Sequence, residues 1–209
     1  MTSAVTYLLD RSSAALLVFA AAAALSWIVR LSPTKRICIG LAAIAIAAVI
    51  PISTRSLFEW IVSAIERPSA PGLLLLTIYA ISAVTGRTFS QNAEYRFGTG
   101  MLVIVGFLLY PASVGFLNYD PYVLGYSGYL LPIALVILLA YALYRRYFFI
   151  VAALDVGILG FLLSAGRSLN LWDYVIDPVA WMLAIGAWIG ILMTFLISKR
   201  RRTSSAAAT

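Results

Sequence analysis

No histidine occurs anywhere in the 209 residues, and cysteine occurs once, at Cys38. Without histidine there is neither a His-based zinc site nor a catalytic triad that uses His as its base. A single cysteine excludes a disulfide within the chain, and its place at the start of an apolar run makes it a buried, inert thiol. Charge is scarce too. Only 11% of residues are charged, far below the roughly one quarter of soluble domains. Phosphate-loop, dinucleotide and nucleophile-elbow glycine motifs are all missing, so neither metal nor cofactor is expected. No polar link is long enough to fold as a soluble domain of its own.

What is present is hydrocarbon. Hydrophobic residues make up 63% of the chain, and its mean hydropathy is +0.98. The composition predicts an all-α integral membrane protein, a single transmembrane domain over residues 1–202 with a disordered cytoplasmic tail over 203–209. The net charge of +7 does not point to nucleic acid, because the cations flank apolar runs instead of forming a patch with interleaved aromatics.

Seven apolar runs are read as spans: Ser13–Val29, Ile37–Ile52, Gly72–Thr85, Phe97–Leu117, Gly128–Tyr144, Tyr147–Ala165 and Val179–Ser198. Gly72–Thr85 is the shortest, and if it only dips into the bilayer six spans remain. Ser56–Arg67 differs in kind, with Glu59, Ser63 and Glu66 at helical spacing opposite an apolar face. It is expected to lie in the interface with Trp60 at headgroup depth, started by a Ser56/Glu59 capping box.

The cations orient the bundle. With the N-terminus outside and the C-terminus in the cytoplasm, eleven of the fifteen fall on the cytoplasmic side: Arg30, Lys35, Arg36, Arg87, Arg96, Arg145, Arg146, Lys199, Arg200, Arg201 and Arg202. A plasma (inner) membrane location follows. The same orientation puts Asp10, Glu59, Glu66, Asp120, Asp173 and Asp177 outside, leaves Glu94 inside, and places Asp155 within the membrane.

Asp155 is the principal candidate for chemistry. A carboxylate near the bilayer centre costs on the order of 3 kcal/mol on insertion scales. No cation lies inside any span unless Arg87 or Arg96 reaches far inward, so compensation is expected from a protonated carboxyl or from hydroxyls such as those of Thr77, Tyr79, Ser82, Tyr110, Ser113, Tyr141 and Thr194, and either would turn Asp155 toward the bundle interior. The outer loops supply weaker ligand candidates, Asp120, Asp173 and Asn170. Asp177 before Pro178 has the pattern of a helix N-cap, and the Asn170–Tyr174 loop reads as solvated, with its aromatics at the interface. Gly186 and Gly190 form a G-x-x-x-G pair expected to pack inside the bundle, a contact with a partner or a second copy being the alternative.

Three functions are compatible with these features. The first is a non-catalytic membrane component or accessory subunit of an envelope assembly, whose partners are the lipid bilayer and another membrane protein or a second copy. The others are a small proton- or cation-coupled transporter using Asp155, and an enzyme acting on a lipid-linked substrate at the outer face. No family resemblance decides among them.

Overall fold

The computed structural model describes residues 2–65, 68–87, 89, 92–113, 115–116, 118–164 and 168–206. The expectation at Glu66 lies outside them. Among the described residues the chain is helical almost throughout, as nine α-helices: α1 Thr2–Ile28, α2 Pro33–Val49, α3 Leu57–Ile65, α4 Ala70–Thr85, α5 Ala93–Ser113, α6 Leu130–Tyr144, α7 Phe148–Leu162, α8 Trp172–Val175 and α9 Pro178–Ala206. A 3₁₀ turn, Pro121–Gly125, precedes α6. A two-residue antiparallel ribbon, Pro51–Ile52 against Arg55–Ser56, links α2 to α3.

Among the described residues two helices are long and apolar enough to cross a membrane, through Ala93–Ala112 of α5 and Pro178–Leu196 of α9. Only 22% of each stretch is buried in the bundle, whereas a core helix of a soluble protein would be mostly buried. The expected seven full-length spans are not seen as such. Helices α4, α6 and α7 are apolar but hold 16, 15 and 15 residues, about 23 Å each at 1.5 Å per residue, against roughly 30 Å of hydrocarbon. Helix α9 continues to Ala206, taking in the start of the tail expected to be disordered.

Side chains are distributed inside out relative to a soluble core. Half of the buried hydrophobic residues are alanines, among them Ala23, Ala47, Ala142, Ala180 and Ala184. Large aliphatic and aromatic residues such as Ile104, Phe107, Val136, Ile137, Leu159 and Phe195 face outward instead, and Cys38 of α2, expected to be buried, is exposed with them. Small residues let helices approach closely where dispersion and hydrogen bonds, not water exclusion, hold them together.

Polar contacts gather the helix ends in pairs. Arg11 of α1 meets Glu59 of α3 at 3.6 Å. The capping box at α3 forms in full: Glu59 Oε2 accepts from the Ser56 amide at 2.8 Å, and Ser56 Oγ from the Glu59 amide at 3.4 Å. Arg36, only 8% exposed, donates through Nη1 to the Ala83 carbonyl (2.7 Å) and through Nε to Leu31 O (2.8 Å), so a cation read as a topology signal also caps the C-terminus of α4. Glu94 at the start of α5 accepts from the Ile150 amide at 3.0 Å, satisfying a free donor at the start of α7.

Candidate functional site

The polar residues singled out in the sequence collect at one end of the bundle, where α7 stops early. The segment over 168–176, which includes α8, packs back against it, and Leu171, Val175 and Ile176 of that segment are buried. Leu171 and Val175 join Leu131, Leu135 and Leu154 in one cluster. Gly157 permits the approach, because a Cβ there would lie 2.6 Å from the Tyr174 carbonyl oxygen. The small residues of α7 therefore seat α8. The solvated loop expected over Asn170–Tyr174 is instead a packed segment, and the spacing of Leu171, Trp172, Val175 and Ile176, one helical face repeated, was the signal for it.

Asn170 is the keystone of this segment, with 0% exposure. Its Nδ2 donates to the Tyr122 carbonyl at 3.0 Å, and its Oδ1 accepts from the Trp172 amide at 2.9 Å. Trp172 Nε1 donates to Pro121 O at 3.0 Å, and the Leu171 amide to Gly125 O at 2.9 Å. The 3₁₀ turn is thus latched onto the α8 loop. Only glycine fits at 125, since a Cβ would stand 1.7 Å from Asn170 Oδ1.

Asp120 and Asp173 meet at Tyr122. Asp120 Oδ1 accepts from the Tyr122 amide at 2.9 Å, capping the turn, while the Tyr122 hydroxyl donates to Asp173 Oδ1. Burial, and then the Asp173 carboxylate, hold the Tyr122 phenol above its ordinary value, so it stays neutral and keeps donating. Asp177, 8% exposed, caps α9 by accepting from the Ala180 amide at 2.9 Å, as its place before Pro178 suggests. Its other oxygen accepts from Ser69 N (2.6 Å) and Ser69 Oγ (2.5 Å), and Ser69 Oγ in turn accepts from the Gly72 amide at 3.2 Å. One carboxylate therefore serves the N-termini of both α4 and α9, a role for Ser69 that the sequence did not signal.

Asp155 stands apart from this cluster. It is half-buried on α7, while its neighbours Ala153 and Leu154 face the bundle. Among the described residues it makes no hydrogen bond or ion pair. Four of the hydroxyls expected to compensate it are engaged elsewhere: Thr77 donates to Leu73 O, Tyr79 to Leu183 O and Thr194 to Ile191 O, while the Tyr141 hydroxyl accepts from Arg145. Nor do three metal-ligating side chains converge anywhere among the described residues.

Below the latched loops, α4, α5, α6 and α7 enclose an apolar cavity of about 120 Å³ that reaches Trp172, Val175 and Ile176. Asp155 is absent from its walls. The G-x-x-x-G pair does not pack inside, contrary to expectation. Among the described residues nothing lies within 4 Å of where a Cβ of Gly190 would stand and only the Tyr79 hydroxyl, at 3.8 Å, of where one of Gly186 would, and both glycines are exposed.

No protein-family model, curated protein or solved structure matches the chain.

Proposed function

We propose that the protein is a polytopic plasma-membrane component without catalytic activity of its own, an accessory subunit that associates through α9 with another membrane protein or a second copy. The observation that carries this reading is the uncovered Gly186/Gly190 stripe, set on a long apolar helix beside exposed Met182, Ile189 and Met193. Small residues on a lipid-facing surface let a second backbone approach closely. The acids of the outer end support the same reading, since Asp120 and Asp177 are engaged as caps and Asp173 holds the Tyr122 hydroxyl.

Seven spans (α1, α2, α4, α5, α6, α7 and α9) with the N-terminus outside agree with the pairing of helix ends. Arg11 with Glu59, Ser69 with Asp177, and the 3₁₀ turn with α8 join segments that this topology assigns to the outer face. Arg36 with Ala83, and Glu94 with Ile150, join segments that it assigns to the cytoplasmic face. Short helices at the centre are matched to the bilayer by local thinning and by flanking residues.

The test is association in a bilayer. Single-molecule photobleaching of the labelled chain in vesicles, and mass measurement in mild detergent with native membranes as the source, should both give a complex. Gly190→Leu should dissociate it without changing the helical content. A strictly solitary chain in native membranes and vesicles alike would overturn the reading.

A further inference from the structure

Helix α5 leans on α9 and α6 on α7, so a gap remains between α5 and α6, floored by α4 and α7. This gap is the apolar cavity. Only three of its lining side chains carry hydrogen-bonding groups, and each is satisfied within the chain. Thr99 Oγ1 donates to Tyr95 O at 2.7 Å, Trp172 Nε1 to Pro121 O at 3.0 Å, and the Tyr95 hydroxyl bonds to that of Tyr79. Such walls offer water and polar ligands nothing, and they match hydrocarbon. From Phe97 to Val105 the lining of α5 runs about 12 Å, close to the depth of one hydrocarbon leaflet.

The two ends of the gap differ. One is closed by the latch around Trp172, with Asp120 and Asp173 above it. At the other, Phe97 stacks on Tyr141 and Tyr147, with ring centroids 5.1 and 5.6 Å apart, and the Arg145 guanidinium lies 5.8 and 5.4 Å from the two tyrosine rings. Arg96 and Arg146 flank this aromatic cluster, and all three arginines are exposed. The nearby acid, Glu94, accepts from the Ile150 amide. Hydrocarbon walls leading to a cationic mouth are complementary to an anionic lipid.

We infer that the α5/α6 cleft binds an anionic phospholipid of the cytoplasmic leaflet, with one acyl chain between the helices and its phosphate at Arg96 and Arg145. The inference rests on the membrane placement and orientation proposed above. Arginine suits the role because its planar fork pairs with phosphate oxygens while its face stays on the tyrosines.

The experiment reconstitutes the full chain in vesicles containing phosphatidylglycerol with a diazirine near the end of one acyl chain, and maps the photolabel by mass spectrometry. Label is expected on inward residues Met101, Leu102, Ala153 and Leu154 as well as on outward Ile104, Phe107 and Leu159. The inward label should fall severalfold with a phosphatidylcholine probe, in the Arg96→Gln/Arg145→Gln variant and in Ala153→Phe, while the outward label stays constant. Outward label without inward label overturns the cleft as a lipid site and leaves the membrane placement standing, and this wild-type result needs no variant to fold. Absence of label on both faces overturns the placement itself. Equal inward label from both probes overturns the arginine–phosphate contact.

Discussion

Removing the Asp177 carboxylate should destabilise the bundle more than removing any other acid. Asp177→Ala deletes three charge-assisted hydrogen bonds, from Ser69 N (2.6 Å), Ser69 Oγ (2.5 Å) and Ala180 N (2.9 Å). Two of these donors are backbone amides at a site where Asp177 is 8% exposed, so water does not readily replace the lost acceptor. An unsatisfied buried donor costs about 1–3 kcal/mol, and loss of an N-cap typically about 1 kcal/mol. These overlap at Ala180, so the expected loss is about 3–5 kcal/mol. Asp177→Asn keeps the shape and one acceptor oxygen but turns an amide donor toward one of the donors it faced, which predicts a loss of about 2–3 kcal/mol. Ser69→Ala removes the hydroxyl that both donates to Asp177 and accepts from the Gly72 amide, about 1–2 kcal/mol, and in the double variant the part owed to the shared bond should vanish while the loss of the α4 cap stays. Reversible unfolding in mixed micelles with increasing denaturing detergent, followed by circular dichroism, measures the four variants against wild type. An Asp177→Ala variant within 1 kcal/mol of wild type, or additive Ser69→Ala and Asp177→Ala effects, would refute the shared-cap reasoning.

Other positions give independent checks in the same assay. Arg36→Met keeps much of the aliphatic stem but leaves the Ala83 and Leu31 carbonyls without their donor, and should cost about 2–4 kcal/mol, with fraying seen by hydrogen exchange at the C-terminal turn of α4. Gly125→Ala drives a methyl group into Asn170 and should destabilise by at least about 2 kcal/mol, with faster proteolysis of the loop over 168–177; Asn170→Ala should reproduce that loss from the opposite side. Tyr122 has a folded-state value raised above its unfolded one, so its contribution is fully present below about pH 10 and is lost as pH climbs through the folded value. Alkaline absorbance titration should show late-ionising phenols, with one fewer of them in Tyr122→Phe.

Composition and periodicity made the helical character legible, and local motifs did well wherever a few adjacent residues decide the outcome. The Ser56/Glu59 capping box and the Asp177-Pro178 start of α9 are such cases, because a cap is chemistry between neighbours. Long-range polar contacts were illegible for the opposite reason. Ser69 and Asp177 are 108 residues apart and Arg36 and Ala83 are 47 apart, and no local pattern marks either pair. The segment leading into α8 misled because its polar letters, Ser168, Asn170 and Asp173, suggested water. Its buried surface belongs to Leu171, Val175 and Ile176, and the asparagine is buried because its amide group finds backbone partners. Gly186 and Gly190 misled differently: small-residue spacing says that a backbone can come close, not which chain it belongs to.

Asp155 shows how far a desolvation argument reaches. The inference from cost to partner assumed that the interior supplies the compensation, yet the hydroxyls of Thr77, Tyr79 and Thr194 are bound to backbone carbonyls, and the cavity beside α7 holds no free polar group. What remains is the half-buried flank of α7, where the carboxyl either stands without a partner or meets a group outside this chain. The two alternatives separate in Asp155→Asn. If the acid needs no partner, the amide is nearly isosteric and stability in isolated micelles is unchanged. If it pairs with a cationic or donor group of a partner helix, the isolated chain is again unaffected, but the complex held through α9 weakens about tenfold or more. Loss of stability in the isolated chain would contradict both and would require a partner within the bundle.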